Sequence, residues 1–422
     1  MHLNLFAHGC GHHSAAWRAP GSAVDRLGDV TWWEDLARTA ERGRFDAVFL
    51  ADGQSLSPTP GPSWFLEPVT ALTALARATT RIGLVSTISS TFWDPFHTAR
   101  LSASLDHISG GRAGINVVTS MTDAEARNHG MDRLPDHEER YARAAEFIGA
   151  VTALWESWPA GSPPTSAVPV DHHGHFFDVD GPLNIPATPQ GHPVLFQAGA
   201  SEPGRDLAAR YAEGVYAVAW DLDSARDYRM DLRRRAAEYG RDPDNLVIMP
   251  GLVTFVGATE EEARAKQREL NELLPVADSL RQLSFFVGRD TSGWALDEPV
   301  PDLPPLAEFT GPAGRYATIL RVLASSPNGR PTVRDLLGYL AAGGGHATFV
   351  GTPEQIADEM ERWVVNGAAD GFNLMPPTLP GGLDDVVDLV VPVLQERGLF
   401  RREYPADTLR GHLTSRCRHH AA

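Results

Sequence analysis

Residues 114–158 read GINVVTSMTDAEARNHGMDRLPDHEERYARAAEFIGAVTALWESW, and this stretch decides the fold. The apolar run 113–118 reads as a buried strand that ends on the polar residues Thr119 and Ser120. An irregular patch follows, and DHEERY then opens a long amphipathic helix. His137 and Tyr141 fall four residues apart in its first turns. Residues at that spacing share a helix face, so an imidazole and a phenol can converge on one anionic group. A strand end that delivers polar residues toward a helix start is how a parallel α/β barrel builds a site.

The same alternation continues on both sides of this stretch. Strands are expected over 3–7, 47–50, 82–88, 113–118, 193–198, 215–219, 247–256 and 370–375, the seventh interrupted near Pro250 and Gly251. Helices are expected over 32–44, 67–79, 96–108, 138–155, 205–213, 225–239, 353–365 and 383–396, with Pro68 suited to a first helical turn. Nearly all the strands are continuous apolar runs, the pattern of strands buried on both faces. Eight βα repeats predict an α/β fold, a (β/α)₈ TIM barrel rather than an open sheet. Such a barrel takes about 250 residues. The chain has 422 and reads as a single domain over 1–422, so the excess belongs to insertions at the barrel top, at about 53–66, 159–190 and 271–345. The second carries a hairpin pattern around 175–179, and all three are placed to act as a lid.

The formal charge of −17 argues against nucleic acid or an anionic membrane surface as a partner. Two cysteines, Cys10 and Cys417, are too few for a disulfide framework and fit a reducing, cytoplasmic setting. The first residues lack the basic and then apolar pattern of a secretion signal. No apolar stretch approaches the ~20 residues that a membrane span needs.

Several constellations at strand ends can carry chemistry. Asp52 ends the second strand, where a carboxylate can accept hydrogen bonds from a bound heterocycle or equally cap a helix. The third strand ends in Ser86-Thr87-Ile88-Ser89-Ser90-Thr91, and alternation sends Thr87 and Ser89 to one face. The turn 198–204, AGASEPG, places Ser201 and Gly204 before a helix. Its glycines allow close backbone approach, and free amides at a helix start hold phosphate. Together with His137 and Tyr141 this turn forms a candidate phosphate clamp. Histidines cluster at His8, His12 and His13 and again at His172, His173 and His175, without carboxylates or thiolates at a recognised ligand spacing, so no metal is expected. Walker, GxSxG and Rossmann GxGxxG motifs are missing from the sequence. Arg18, Arg315 and Arg321 suit either an anionic substrate or surface salt bridges.

Long blocks of the chain resemble the flavin-dependent monooxygenases of the bacterial luciferase-like superfamily. They include DVTWWEDLARTAERGRFDAVFLAD, EPVTALTALARATTRIGLVSTISSTFWDPFHTAR, LDHISGGRAGINVVTS, DHEERYARAAEFIGAVTALWESW and FVGTPEQIADEME, in that order. Within it, the resemblance is to the branch of nitrilotriacetate monooxygenase component A, the pristinamycin synthase large subunit and dibenzothiophene-sulfone monooxygenase. It implies a barrel that binds reduced FMN (FMNH2) supplied by a separate NAD(P)H-dependent flavin reductase. O2 would give a flavin C4a-(hydro)peroxide that delivers one oxygen atom to a small organic substrate. Carried onto this chain, Asp52 would sit near the isoalloxazine, with Thr87 or neighbouring Ser89 and Asn116 also touching the flavin. His137, Tyr141 and Ser201 would grip the phosphate, with Gly204 in the same turn. His8, His12 and His13, near the end of the first strand, are candidates for substrate contact or proton transfer. A homodimer is implied too. The chain departs from the pattern at Ile115, where family members often carry an aromatic residue, and in a short insertion after strand two. Two other readings stay open: an F420-dependent hydride-transfer enzyme on the same barrel, and a non-catalytic flavin-binding protein.

Overall fold

The computed structural model describes residues 1–56, 61–62, 66–159, 166–309, 313–325 and 329–415. Parts of the three expected insertions (57–60, 63–65, 160–165, 310–312 and 326–328) therefore lie outside the described residues, as does the tail with Cys417.

Eleven strands occur among the described residues: β1 His2–Ala7, β2 Ala47–Leu50, β3 Gly83–Ser89, β4 Ala113–Val118, β5 His172–His173, β6 Asp178–Val179, β7 Val194–Gln197, β8 Gly214–Ala217, β9 Val247–Val256, β10 Ala347–Gly351 and β11 Gly371–Leu374. Eight of them pair in parallel in the order β1-β2-β3-β4-β7-β8-β9-β11, and β11 returns to β1, closing the barrel. Helices cross between them, as in His137–Glu156 after β4 and Glu202–Tyr211 after β7. This is the TIM barrel that the eight βα repeats predict. Alternation sorts the side chains: Leu3 and Leu5 pack outward with Trp33 and Leu36 of the helix Val30–Arg42, while Phe6, Phe49, Val85 and Phe196 share the interior. Asp46, fully buried before β2, ties the barrel start together by accepting from Leu3 N at 2.8 Å and pairing with His2 and Arg401. The short helix Leu409–Thr414 closes the barrel bottom. A Cβ at Gly83 would sit 2.5 Å from a Leu409 methyl, so glycine there makes room for the plug.

Two features correct the sequence reading, and the expected hairpin is present. The strand over 247–256 is continuous rather than interrupted. Ala217↔Pro250 is its last pair with β8, and β10 takes over the same edge from Leu252, so a residue without an N–H sits where the ladder changes partner. Strand β10 itself is an addition outside the barrel ring, unexpected because its five residues follow three glycines and a histidine. The antiparallel hairpin β5–β6 spans His172–Val179, and the Glu146 carboxylate pins its turn by accepting from the amides of His175, Phe176 and Phe177. The insertion after β9 contributes helices Val276–Val287, Ala313–Ser325 and Val333–Gly343 around an apolar cluster of its own, with Leu283, Tyr316 and Leu336 fully buried. It rests on segments that leave the C-terminal strand ends, through Ser14 N to Ala341 O at 3.0 Å and Trp220 against Tyr339. None of the described helices is long and apolar enough to cross a membrane.

Candidate active site

The C-terminal mouth of the barrel gathers most of the residues singled out in the sequence. At one side His137 and Tyr141 touch, with ring centroids 4.8 Å apart. Ser201 caps the helix Glu202–Tyr211 by accepting from Gly204 N at 3.3 Å. Gly199 and Gly204 stand back to back: a Cβ on Gly199 would lie 2.6 Å from the Gly204 Cα, and one on Gly204 would lie 3.0 Å from the Tyr141 hydroxyl. Glycine at both positions therefore lets the β7 turn close onto the helix start, and the phenol of Tyr141 reaches the same point. Gly199 is held from both sides, its amide donating to Gln197 Oε1 at 2.5 Å and its carbonyl accepting from the Tyr228 hydroxyl at 2.6 Å. A helix N-terminus, a serine, an imidazole and a phenol converge, which is an arrangement suited to a phosphate.

Toward the barrel axis, Thr87 and Asn116 are partners in register across β3 and β4. Asn116 Nδ2 donates to Thr87 Oγ1 at 3.2 Å, while Asn116 Oδ1 is buried and has no partner among the described residues. An unsatisfied buried acceptor costs roughly 1–3 kcal/mol, so this oxygen calls for a ligand N–H. Beneath lies an aromatic floor: Phe6 meets Phe49 and Tyr216 at 5.5 and 5.2 Å, and Phe49 meets Phe196 at 5.9 Å. Ser89 is engaged elsewhere, its hydroxyl 2.8 Å from Ser120 Oγ. That contact fixes Ser120, which holds a left-handed backbone (φ +57°) and whose carbonyl accepts from Arg140 at 2.5 Å. Asp52 Oδ2 accepts from Gln54 Nε2 at 2.9 Å. Burial raises the Asp52 pKa, the Gln54 bond offsets part of this, and neighbouring Glu67 and Glu125 raise it further.

The three N-terminal histidines part company. The His8 and His12 rings lie 5.3 Å apart at the mouth. His12 Nε2 is 2.9 Å from the Phe6 carbonyl, which only a protonated Nε2 can satisfy. Burial, and then the neighbourhood of His8 and His346, keeps the His12 pKa well below the ordinary histidine value, and burial lowers that of His8. His13 points away from them, with Nε2 3.0 Å from Asn271 Oδ1 and Nδ1 accepting from Ala15 N at 3.1 Å. Both its ring nitrogens are used and burial brings its pKa to about 4, so it anchors the loop to the insertion as a neutral ring.

Two mouth residues escaped the sequence reading. Tyr216, on β8, places its hydroxyl 3.0 Å from His346 Nε2 and 3.2 Å from Met375 Sδ. His346 precedes β10 and is packed against Gly251, where a Cβ would lie 2.3 Å from Nδ1. Burial, and then Arg315, brings the His346 pKa to about 3. The signal for Tyr216 was its strand position two residues after Gly214, on the inner face. His346 had no local signal, because its partner is 130 residues away. Of the second histidine cluster, His172 pairs with Glu146 and His173 with Asp178 on the hairpin.

A profile of the luciferase-like monooxygenase family matches residues 5–370. N-acetyl-S-(2-succino)cysteine monooxygenase of Bacillus subtilis (strain 168) is 43% identical over 424 residues, covering 97% of this chain and 95% of that one. Nitrilotriacetate monooxygenase component A of Aminobacter aminovorans is 42% identical over 442 residues, covering 98% and 96%. Among solved structures, EDTA monooxygenase from Chelativorans sp. BNC1 superposes with a TM-score of 0.84 at 33% identity, covering 99% of each chain.

Proposed function

We propose that this chain, which belongs to the luciferase-like monooxygenase family and is a flavin-dependent monooxygenase, uses reduced FMN delivered by a separate NAD(P)H-dependent flavin reductase. The observation that carries the choice of FMN is the convergence of His137, Tyr141 and the Gly199–Gly204 approach on one helix N-terminus, a place for a phosphate. The buried, unpartnered Asn116 Oδ1 and the aromatic floor support a flat heterocycle beside it. His137, Tyr141 and Ser201 would hold the phosphate at the helix start, where Gly204 leaves room for the Tyr141 hydroxyl, and Asn116, Thr87 and Asp52 would meet the ring system. When bound, reduced FMN supplies two electrons for O2, so that one oxygen atom enters the substrate and the other leaves as water.

The chain's own part is positioning and shielding. The Phe6, Phe49, Phe196 and Tyr216 floor excludes water from the reacting face. His12, with its Nε2–H committed to the Phe6 carbonyl, offers Nδ1 as a proton acceptor and is neutral near pH 7. Family resemblance supports a homodimer and a cytoplasmic location, and light scattering at twice the 45.8 kDa chain mass tests the first.

The test of the reaction is turnover with a flavin reductase, NADH, FMN and ¹⁸O₂ on a panel of thioethers and amines. One ¹⁸O atom per product, with activity kept when chemically reduced FMN replaces the reductase, supports the reading. Turnover that needs reduced F420 and proceeds without O2 contradicts it.

A further inference from the structure

The three arginines that suited an anionic substrate in the sequence have different surroundings. Arg321 turns to Asp221, 3.7 Å away. Arg18 donates to the Leu273 carbonyl at 3.4 Å and lies over the Trp17 ring. Arg315 donates to the Gly344 carbonyl, and among the described residues no carboxylate pairs with its guanidinium.

Its position is set by backbone. Arg315 lies in the first turn of the helix Ala313–Ser325, which rests directly on the turn Gly343-Gly344-Gly345. A Cβ at Gly345 (φ +105°) would lie 2.2 Å from Thr318 Cγ2, and one at Gly344 (φ +60°) would lie 2.7 Å from Arg315 Nη1. Glycine at both positions lets the helix settle and carries Arg315 to the wall of the mouth formed by Tyr216 and His346. His346 is only 7% exposed there, and its Nδ1 has no partner among the described residues. Next to Tyr216 come Phe6, at 5.2 Å, and His12, 4.5 Å from Phe6. This wall along β1, β8 and β9 therefore carries one guanidinium and two imidazoles. The acids that flank the mouth, Asp52, Glu67 and Glu125, face one another on the β2–β4 side instead. The two imidazoles are neutral near pH 7, so the Arg315 guanidinium is the charge on this wall, and Asp52, Glu67 and Glu125 do not pair with it.

We propose that the substrate of this chain is a small organic carboxylate, its carboxylate paired with Arg315 and its adjoining polar groups meeting His12 and Tyr216. This rests on the flavin-monooxygenase reading only in calling the ligand a substrate; the anion site stands on the residues alone. A guanidinium fork matches a carboxylate with two parallel hydrogen bonds, which an ammonium cannot do. Arg315 is exposed at the rim beside Phe286, so that pair is open to solvent and is screened by salt. A neutral substrate would cover the guanidinium and leave it without a counter-charge, a discrimination by unpaired charge.

The test is calorimetric binding, without turnover, of thioether mono-, di- and tricarboxylates and their methyl esters. N-acetyl-S-(2-succino)cysteine and its trimethyl ester serve as one pair. The acids are expected to bind at least roughly tenfold tighter than their esters, with affinity falling as salt rises. Arg315→Met is expected to abolish that preference, and Arg315→Lys to restore part of it, with FMN affinity unchanged in both. Equal binding of acids and esters, or a preference that survives Arg315→Met, overturns the proposal. Separate FMN titration of the same preparations keeps the two readings apart. Lost flavin binding with the carboxylate preference intact sinks the cofactor reading alone, and the reverse sinks the anion site alone.

Discussion

Replacing His137 with alanine and Tyr141 with phenylalanine together removes two of the three side-chain donors of the phosphate clamp, leaving Ser201 and the barrel intact. Both residues sit in the first turns of the helix His137–Glu156, where they touch each other at 4.8 Å, and the aromatic ring of Tyr141 is kept by the phenylalanine. A hydrogen bond to an ionised group contributes about 1.5–3 kcal/mol net. Two such bonds lost at the lower figure come to roughly 3 kcal/mol, on the order of 100-fold in affinity. The rings are neighbours, so the two losses are not fully additive, and the amides at the start of Glu202–Tyr211 keep part of the attraction. The floor of the expected effect is therefore about tenfold for reduced FMN. The assay is anaerobic titration followed by flavin absorbance, run in parallel with reduced riboflavin, which lacks the phosphate. Wild-type protein should prefer FMN strongly, and the double variant should lose at least about tenfold of that preference. A folded double variant with unchanged FMN affinity, or one that loses riboflavin as much as FMN, refutes the clamp.

Two further outcomes concern the scaffold. Asp46→Asn should cost about 3–5 kcal/mol, because Arg401 is left in a buried site without its partner. Burial alone raises the Asp46 pKa, but the charges of Arg401 and His2, with their hydrogen bonds, hold it well below the unfolded value of about 3.9. The contribution is thus complete above about pH 4 and drains away as pH falls toward the folded pKa. Denaturant melts from pH 7 to pH 3 should show wild-type stability declining more steeply than that of Asp46→Asn, and parallel curves would contradict this. Leu409→Ala should lower stability by about 2–5 kcal/mol at pH 7, since Leu409 is fully buried in the barrel bottom. A thermal melt shifted by less than the equivalent of about 1 kcal/mol would show that the plug does not close the core.

Much of the architecture was legible because parallel strands buried on both faces leave continuous apolar runs, as in VFL of β2 and INVV of β4. The clamp was legible for a related reason. His137 and Tyr141 are a local pair on one helix, and Ser201 and Gly204 a local pair on another. What local pattern could not supply was the meeting of distant segments. Tyr216 and His346 are joined by a fold closure, and β10 pairs with β9 across an insertion of three helices. Proximity in sequence misled at His13, which follows His12 directly yet is drawn by Asn271 to the far side of the loop. Ser89 shares a strand face with Thr87, but the left-handed turn at Ser120 captures its hydroxyl. The choice among Arg18, Arg315 and Arg321 likewise depended on tertiary partners, which charge counting does not reveal.

The most direct measurement is anaerobic titration of the wild-type protein with reduced FMN and, separately, reduced F420, each then mixed rapidly with oxygenated buffer. One reduced FMN should bind per chain, F420 should show no saturable binding, and the bound flavin should reoxidise more slowly than free flavin, because the aromatic floor and the insertion shield it. Saturable binding of F420 instead, or FMN that reoxidises as it does in solution, would contradict a reduced-FMN site at this barrel mouth.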